Sequence, residues 1–336
     1  MTPVGSIFVW RNNMKNKFDV VALGELLIDF TENGMSSQGN PLMEANPGGA
    51  PCNVLAMLTN LGHKTSFIGK VGDDMFGNRL EETISEIGID TSCLFKDKEV
   101  HTTLAFVHTG IDGDRDFSFY RNPGADMMLN ESEVLSCSHV IENAGIFHFG
   151  TLSMTSDICR NATKSAIDIA KKEGALISFD PNLREPLWDS LDTAREQVMY
   201  GLSKCDILKI SDNEIKWLTN CEDYDEGVQT IREQFNIPLV LVSLGKDGSI
   251  GYSNSSKVCV QPFLLDNTIE TTGAGDTFCA CILHYVLQNG LKDYSEKELT
   301  DMLTFAGAAA ALITTKKGAL RVMPTLPEIE KLICHG

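Results

Sequence analysis

Short apolar, β-branched runs alternate with amphipathic segments along most of this chain. The run FDVVALG at 18–24 ends in glycine and predicts a first strand that is buried on both faces. After it, the pattern predicts a helix over 51–61, a strand over 65–70 and a helix over 75–87 that stops at Gly88.

The same alternation resumes after Gly145 and continues towards the C-terminus. Strands are predicted near 146–149, 175–180, 206–210 and 238–243, and helices near 157–172, 191–202, 213–219 and 226–235. The C-terminal third is largely helical, with predicted helices at 275–288, at 296–314 and, in a short piece, after Pro327. This alternation implies an α/β fold with a central, mostly parallel sheet flanked by helices on both faces.

The pattern changes between His101 and Tyr120. Residues 102–107 and 116–120 predict two strands joined through a turn at 112–114, which makes a hairpin. A hairpin inside an alternating chain indicates an excursion from the main sheet, and we interpret it as part of a small lid of β-strands.

The sequence predicts a single large domain. The lid strands are expected within about 30–47 and 100–123, and no Pro-, Ser- or Gly-rich linker divides the chain between 18 and 333. Residues 1–17 are interpreted as a disordered leader or an alternative start, since their positive charges follow the apolar patch 7–10, whereas a secretory signal has them before it.

Charge and cysteine content exclude several classes of partner. The formal net charge is −18, and the Lys and Arg residues are scattered, which argues against nucleic acid and anionic membranes. No apolar run approaches the ~20 residues that span a bilayer. The ten cysteines show no CxxC pair. We therefore expect a cytoplasmic protein whose cysteines are reduced thiols that pack as small hydrophobic residues.

The segment ETTGAGD at 270–276 is a candidate phosphate site. Gly273, Ala274 and Gly275 have no bulky side chain, so backbone N–H groups can converge there at the start of a predicted helix. Asp276 follows in the first helical turn, where its carboxylate can accept the proton of an attacking hydroxyl group. By itself the segment is better explained as a tight turn with Asp276 as a cap residue. The chain has neither a GxxxxGK[ST] motif nor the HRD and DFG motifs of protein kinases.

Further motifs favour the phosphate-site interpretation. The chain contains PGGAPCN at 47–53, Gly62, FIGKVGDDMFG at 67–77 and TTGAGD at 271–276. With these segments, residues 18–333 resemble the PfkB carbohydrate kinases of the ribokinase/fructokinase superfamily. The segments that look most like the fructokinase branch are GELLIDF at 24–30, FDPNLR at 179–184 with Leu187 and Trp188, and TTKKGA at 314–319.

The resemblance implies a ribokinase-like fold and transfer of phosphate from ATP, with Mg²⁺, to a sugar hydroxyl group. The reaction that it favours is the conversion of D-fructose to D-fructose 6-phosphate. Asp276 would be the general base and Gly273, Ala274 and Gly275 the anion hole. The sugar would be held by Asp29, Gly48, Gly49 and Asn53, with Arg121 approaching from the lid. In relatives such lids often pair, so a homodimer through the lid is also expected.

The resemblance also implies nucleotide and metal ligands. Asn182, Arg184 and Lys209 would lie near the triphosphate, and Glu214 would order the water shell of Mg²⁺. The other implied nucleotide-binding residues are Ser211, Ser243, Gly245, Gly248 and, at the adenine pocket, Gly307. Ser211 stands at the first position of the family's Asn-x-x-Glu pattern, as it often does in fructokinase-like members.

The sequence departs from the family signature at an implied site for a monovalent cation. In many relatives, the resemblance implies, this cation is K⁺. The implied site consists of Glu270, Thr272 and carbonyl groups near Ile313, Lys316 and Gly318. The signature usually opens with Asp, and the longer Glu270 shifts the charge by about one methylene group, so activation by potassium becomes a question for experiment.

Three alternatives stay open. A 2-keto-3-deoxygluconate kinase shares the Asp-Pro-Asn-x-Arg and Tyr-Arg elements, and Arg121 would supply the positive charge that a substrate carboxylate needs. A ribokinase is disfavoured, because its sugar loop usually reads GKGAN where this chain has GAPCN. From a different class, a non-catalytic sugar-binding protein is disfavoured by the presence of Asp276 and the intact Gly-Ala-Gly turn.

Overall fold

Two sheets organise the computed structural model, which describes residues 17–109 and 115–335. In chain order, their strands are β1 (Phe18–Leu23), β2 (Leu27–Met35), β3 (Pro41–Gly48), β4 (Thr65–Gly72), β5 (Asp90–Asp97), β6 (Leu104–Thr109), β7 (Arg115–Tyr120), β8 (Ala144–Gly150), β9 (Leu176–Asp180), β10 (Ile207–Ser211), β11 (Leu239–Ser243), β12 (Ser249–Tyr252) and β13 (Lys257–Val260).

The α-helices lie mostly between the strands of the larger sheet. They are α1 (Ala50–Asn60), α2 (Met75–Ile87), α3 (Glu131–Ser136), α4 (Ser138–Ile141), α5 (Asp157–Glu173), α6 (Leu191–Leu202), α7 (Asp212–Thr219), α8 (Tyr224–Phe235), α9 (Ala274–Asn289), α10 (Glu296–Ile313) and α11 (Leu326–His335). Local chemistry sets their ends. The Asp74 carboxylate caps the first turn of α2, for example, and Gly88 in the left-handed region ends it.

The larger sheet has nine strands in the order β13-β12-β11-β10-β9-β8-β1-β4-β5. Neighbours from β11 to β5 are parallel, and β12 and β13 extend this sheet by antiparallel pairing. Helices α3–α8 pack on one face, with Val21 and Leu23 of β1, and α1, α2 and α9–α11 pack on the other, with Val20 and Ala22. The predicted parallel sheet with two helical layers is therefore confirmed.

The smaller sheet has four strands in the order β3-β2-β6-β7. Strands β2 and β6 are parallel, and the other two pairs are antiparallel. The predicted hairpin is β6 and β7, and the strands expected within 30–47 are β2 and β3, of which β2 begins three residues earlier. On one face, Phe30 stacks on Phe106 at 4.8 Å and meets Phe76 of α2 edge-on at 5.7 Å. These rings join the small sheet to the main body.

The structure departs from the sequence-based expectations at a few places. Strands β5, β12 and β13 and the short helices α3 and α4 were not predicted. Cys93 of β5 and Cys137 form a disulfide, so the expectation that all ten cysteines are reduced thiols is wrong for these two. The other eight are free. The predicted turn at 112–114 and residues 1–16 of the predicted leader lie outside the described residues. Within the described ranges, no helix has the length and apolar character needed to cross a membrane.

Candidate active site

A cleft of about 500 Å³ opens where the carboxyl ends of the parallel strands meet the small sheet. The small sheet contributes Leu27, Asp29, Val107 and Phe119 to its walls. The segments after β1, β8 and β9, strand β10 and the starts of α1 and α9 contribute the rest: Glu25, Gly49, Ala50, Asn53, Leu152, Asn182, Arg184, Lys209, Thr271, Thr272, Gly273, Gly275 and Asp276. Ligands of open α/β sheets bind at this edge.

Helix α9 begins at the bottom of the cleft. Gly273 is its N-cap residue with φ 76°, and no side chain caps the helix. A Cβ atom on Gly273 would lie 3.1 Å from the Cβ of Ala319, so glycine meets both the backbone and the packing requirement. The N–H groups of the first turn have no acceptor within the helix; that of Ala274 donates to the Thr271 carbonyl oxygen before the helix, at 3.3 Å. Gly273, Gly275 and Asp276 line the cleft, so the positive end of the helix dipole lies there. This end of α9 is chemically suited to a phosphate group.

Asp276 lies in the first turn of α9 and is buried beside these N–H groups. Its Oδ2 accepts a hydrogen bond of 2.7 Å from Nδ2 of Asn53, in the first turn of α1. Burial raises the pKa of Asp276, against the opposing effects of this hydrogen bond and of the positive charges of Lys209 and Arg184. A carboxylate whose proton affinity is raised is a better base for a hydroxyl group.

Glycine allows α1 to start close to the segment after β1. Gly49 has φ 133°, and a Cβ atom on it would lie 2.3 Å from the carbonyl oxygen of Glu25. The Oε1 atom of Glu25 in turn accepts a 2.8 Å hydrogen bond from the Ala50 N–H group. These contacts fix the turn that carries Asn53. The Oδ1 atom of Asn53 is buried without a hydrogen-bond partner in the described part of the chain, so it is available to a ligand hydroxyl group.

Asp29 faces Asp276 from the small sheet. Burial raises the pKa of Asp29 to about 7; the positive charge of Arg184 acts in the opposite direction, and the charges of Glu270 and Asp276 add to the rise. Gly48, on the neighbouring strand β3, makes room for this side chain, because a Cβ atom there would lie 2.5 Å from Oδ2 of Asp29. Asp29, Gly48, Gly49 and Asn53 are thus brought together around one end of the cleft.

The Lys209 side chain lies at the back of the cleft. Its Nζ is 3.0 Å from Oδ2 and 3.3 Å from Oδ1 of Asp180, at the end of the neighbouring strand β9. Burial raises the pKa of Asp180 to about 7 even though Lys209 lowers it. The Lys209 Nζ atom is also 3.4 Å from the place where a Cβ atom on Gly275 would lie, so the ammonium group adjoins the start of α9.

A second hollow, of about 300 Å³, adjoins the cleft. It shares Asn182, Arg184 and Lys209 with the cleft and is also lined by Leu183, Glu185, Ser211, Asn213, Glu214 and Trp217. Glu214 accepts hydrogen bonds from Leu183 N–H at 2.7 Å and from the N–H and hydroxyl groups of Ser211 at 2.8 and 2.7 Å. Glu214 therefore ties the start of α7 to the loop after β9. Asn182, in that loop, has φ 45°, an uncommon conformation of the kind that clusters at functional sites.

Four of the predicted nucleotide-binding residues do not line these two hollows. Ser243 lies at the same sheet edge as Ser211, its partner in the register of β10 and β11. Gly245 and Gly248 follow in the turn before β12, both with positive φ. Gly307 lies in α10, where a Cβ atom would be 3.8 Å from the Phe263 ring. Their roles stay predictions.

The structure does not bring Arg121 to the cleft wall. Its guanidinium group is buried and donates to Oδ2 of Asp126 at 2.7 Å, to Thr155 Oγ1 at 2.9 Å and to the Leu152 carbonyl oxygen at 2.9 Å. Burial alone would lower the pKa of Arg121, but Asp126 reverses this and raises it. Arg121 thus sits in a buried ion pair behind Leu152, a wall residue.

The residues of the predicted monovalent-cation site lie on two adjoining segments. The backbone N–H group of Glu270 donates to the Thr314 carbonyl oxygen at 3.0 Å, and Glu270 Oε2 accepts from Gly318 N–H at 3.4 Å. The carbonyl oxygen of Ile313 accepts from Lys316 N–H at 3.1 Å. Within the described ranges, no group of three or more His, Cys, Asp or Glu side chains is arranged to hold a metal ion. Backbone oxygens and one carboxylate are the donors present here.

Several wall residues had no predicted role. Glu25 belongs to the quoted segment GELLIDF, and Asp180, which lies behind the wall residue Lys209, belongs to FDPNLR, so a signal was present for both. Asn213 and Trp217 follow Ser211 on α7, and Leu152 and Phe119 lie in segments without any motif. Leu152 and Phe119 lie at the site only because the fold brings their segments to the cleft.

Comparison with known proteins is consistent with this geometry. Residues 17–326 match the family described as "pfkB family carbohydrate kinase". The probable fructokinase-2 of Arabidopsis thaliana is 41% identical over 317 residues, which cover 94% of this chain and 95% of that protein.

Solved structures of similar proteins share this fold. A fructokinase of Xylella fastidiosa with bound ATP has a TM-score of 0.85 at 31% identity and covers 94% of this chain and 98% of its own. A fructokinase double mutant of Vibrio cholerae O395, with fructose, ADP and a potassium ion bound, has a TM-score of 0.81 at 28% identity and covers 94% and 98%. The expected ribokinase-like fold is confirmed.

Proposed function

This chain belongs to the pfkB family of carbohydrate kinases, and from that premise we propose that it phosphorylates D-fructose with ATP. A hydroxyl oxygen of the sugar attacks the γ-phosphorus of ATP, and the bond between that phosphorus and the β,γ-bridging oxygen breaks. The hydroxyl proton passes to Asp276, and D-fructose 6-phosphate and ADP leave. Relatives with more than a third of their residues identical over nearly the whole chain support fructose as the acceptor.

The observation that carries the proposal is the position of Asp276. It is buried beside the uncapped start of α9, so a base and a cradle for the transferring phosphoryl group lie together. The N–H groups of Gly273, Ala274 and Gly275 would stabilise the charge on that group as it moves. Asn53 orients the carboxylate through its 2.7 Å hydrogen bond.

The sugar would occupy the end of the cleft next to the small sheet. Asp29 can accept hydrogen bonds from its hydroxyl groups, and the free Oδ1 of Asn53 can accept another. Gly48 and Gly49 let the sugar approach the backbone. The apolar side chains of Leu27, Val107, Phe119 and Leu152 would cover its carbon atoms and exclude water.

The triphosphate would extend from the cleft into the second hollow, past Lys209, Arg184 and Asn182. Glu214 would order waters around Mg²⁺ through its Oε1 atom, which accepts one hydrogen bond and keeps a lone pair, whereas Oε2 already accepts two. When bound, the metal ion would neutralise charge on the phosphates. For Ser211, Ser243, Gly245, Gly248 and Gly307, we retain the predicted nucleotide contacts as proposals.

A 2-keto-3-deoxygluconate kinase remains the alternative. Its substrate needs a cation for the carboxylate, and Arg121 was the candidate. The buried ion pair of Arg121 with Asp126 leaves Arg184 and Lys209 as the cations of the cleft, and both adjoin the nucleotide side. This arrangement favours a neutral sugar.

We also propose a monovalent-cation site at Glu270, Thr272, Ile313, Lys316 and Gly318. The contacts between Glu270 and the 314–318 segment support it, since they bring the predicted oxygen donors together. The potassium ion in the Vibrio cholerae structure is consistent with such a site in the family. A cation there would stabilise the turn that precedes α9.

A substrate panel tests the proposed reaction. ADP release is measured with D-fructose, other ketoses, aldoses and 2-keto-3-deoxygluconate, each with ATP and Mg²⁺, in potassium chloride and in tetramethylammonium chloride. We expect the highest kcat/KM with fructose and faster turnover in potassium.

The outcomes of the panel separate the hypotheses. A higher kcat/KM with the keto acid would establish the alternative kinase, and no ADP release with any sugar would contradict kinase activity. Equal turnover in the two salts would remove the cation site while leaving the reaction intact.

We further propose a homodimer that forms through the small sheet. Its edge strands are β3 and β7, and Met35, Leu42 and Tyr120 are exposed on this sheet. Sedimentation equilibrium at micromolar concentration is expected to give a dimer, and Leu42→Lys is expected to weaken it. A wild-type chain that sediments as a monomer would contradict this arrangement.

The cytoplasmic location and the disordered leader remain predictions.

A further inference from the structure

The ion pair of Lys209 and Asp180 lies directly under the start of α9. Both side chains are buried, at 7% and 3% exposure. They come from adjacent parallel strands, and both carboxylate oxygens of Asp180 lie within 3.3 Å of Nζ. The ammonium nitrogen also lies 3.4 Å from the place where a Cβ atom on Gly275 would be, so it adjoins the first turn of α9. Because a lysine stem is long and flexible, its position here depends on the carboxylate that holds it.

Two further carboxylates lie within electrostatic range of Lys209, those of Glu214 and Asp276. The positive charge of Lys209 lowers the pKa of Asp276, and the negative charge of Asp276 contributes to the raised pKa of Asp180. An ammonium group that moved onto the carboxylate of Asp276 would make that carboxylate a weaker base. It would also move away from the N–H groups of Gly273, Ala274 and Gly275, which form the proposed phosphate cradle. The location of the ammonium group therefore affects two parts of the site at once.

The other groups around the pair offer Lys209 no better partner. They are His148 on β8, Arg184 after β9, Glu214 on α7 and Cys279 on α9. Burial, with the Lys209 charge, lowers the pKa of His148 to about 3, so it is neutral at working pH. Glu214 already accepts three hydrogen bonds from Leu183 and Ser211, whereas Asp276 accepts one from Asn53. Without Asp180, Asp276 is the favoured partner.

We propose that Asp180 is a positioning residue that holds the Lys209 ammonium group at the phosphate cradle and away from Asp276. The proposal rests on the proposed kinase function, in which Asp276 is the base. Asp180 itself touches neither substrate nor phosphate in this role. It keeps a full positive charge where the transferring phosphoryl group passes, and it preserves the basicity of Asp276.

The test is Asp180→Asn, which keeps the side-chain shape and removes the charge. We expect kcat to fall about 10- to 100-fold, as for other misplaced active-site groups, with a smaller change in the KM for fructose. The acidic limb of the kcat–pH profile should move to lower pH, because Asp276 then pairs with Lys209. A purely structural role of Asp180 would lower the melting temperature and would move that limb no further than in a Lys209→Met background, where only the direct effect of the lost Asp180 charge remains.

The matched control is the same change in a Lys209→Met background. There, Asp180→Asn should lower kcat by less than about threefold further, because no ammonium group remains to be misplaced. An equal loss in both backgrounds, or an unmoved acidic limb in Asp180→Asn, overturns the proposal.

If Asp180→Asn does not fold, Lys209→Met alone carries the test. Its acidic limb should move to higher pH because a nearby positive charge is lost, and an unmoved limb overturns the proposal. Absence of activity in the wild-type chain would instead contradict the proposed function, so the two failures are distinguishable.

Discussion

Asp276→Asn is expected to lower kcat by about 10²–10⁴-fold, the range typical of a lost general base, while ATP binds with nearly unchanged affinity. The replacement keeps the shape of the side chain and an oxygen for the hydrogen bond from Asn53. It removes the acceptor for the proton of the sugar hydroxyl group. The N–H groups of Gly273, Ala274 and Gly275 stay in place because they belong to the backbone. Steady-state kinetics gives kcat, and the fluorescence of Trp217, which lines the second hollow, provides a probe of ATP binding.

A matched control separates the base from a cap. Asp157 also lies in the first turn of a helix, α5, but it is exposed and lines neither the cleft nor the second hollow. Asp157→Asn should therefore keep wild-type kcat. If Asp276→Asn also had the wild-type kcat, Asp276 would have only a structural role at the start of the helix. The proposed mechanism would then have no general base.

Much of the fold is predictable from hydrophobic periodicity. Helix α2 was predicted at its observed bounds, because Asp74 and Gly88 mark both of its ends. Strands β12 and β13 have four residues each, too few for a pattern to stand out. Strand β5 is an edge strand of mixed polarity, with Asp, Thr, Ser and Lys among its eight residues. Its pairing with β4, rather than its own pattern, makes it a strand.

Residues of the candidate site were predictable only where they belong to a recognisable sequence motif. Asn53 and Asp276 are 223 residues apart in sequence, and neither spacing nor composition shows that they are hydrogen-bonded. The pairing of Asp180 with Lys209 likewise requires β9 and β10 to be neighbours. Arg121 shows a second limit of prediction from sequence. The Tyr-Arg motif identifies the residue but does not show which way its guanidinium group points. That direction depends on Asp126, Thr155 and Leu152, which the fold brings around it.

Arg121→Met is expected to lower the free energy of unfolding by about 3–5 kcal/mol, the cost of leaving one member of a buried ion pair alone. The carboxylate of Asp126 would keep its hydrogen bond from the Thr103 hydroxyl group but lose its buried counter-charge. Equilibrium unfolding in urea at neutral pH measures the change. Lys297→Met, which breaks an exposed pair with Asp301, is the control and should leave the free energy of unfolding almost unchanged, because exposed ion pairs contribute little to stability.

The double variant Arg121→Met with Asp126→Asn distinguishes a buried ion pair from a sugar ligand. Removing both charges leaves no uncompensated carboxylate, so most of the lost stability should return. If Arg121 acted mainly by touching the sugar, Arg121→Met would raise the KM for fructose with little change in stability, and Asp126→Asn would rescue nothing. Because Thr103 and Asp126 flank the two ends of the β6–β7 hairpin, the ion pair also fixes the base of the small sheet. A return of stability together with a wild-type KM for fructose would therefore show that Arg121 compensates the buried charge of Asp126 and does not touch the sugar.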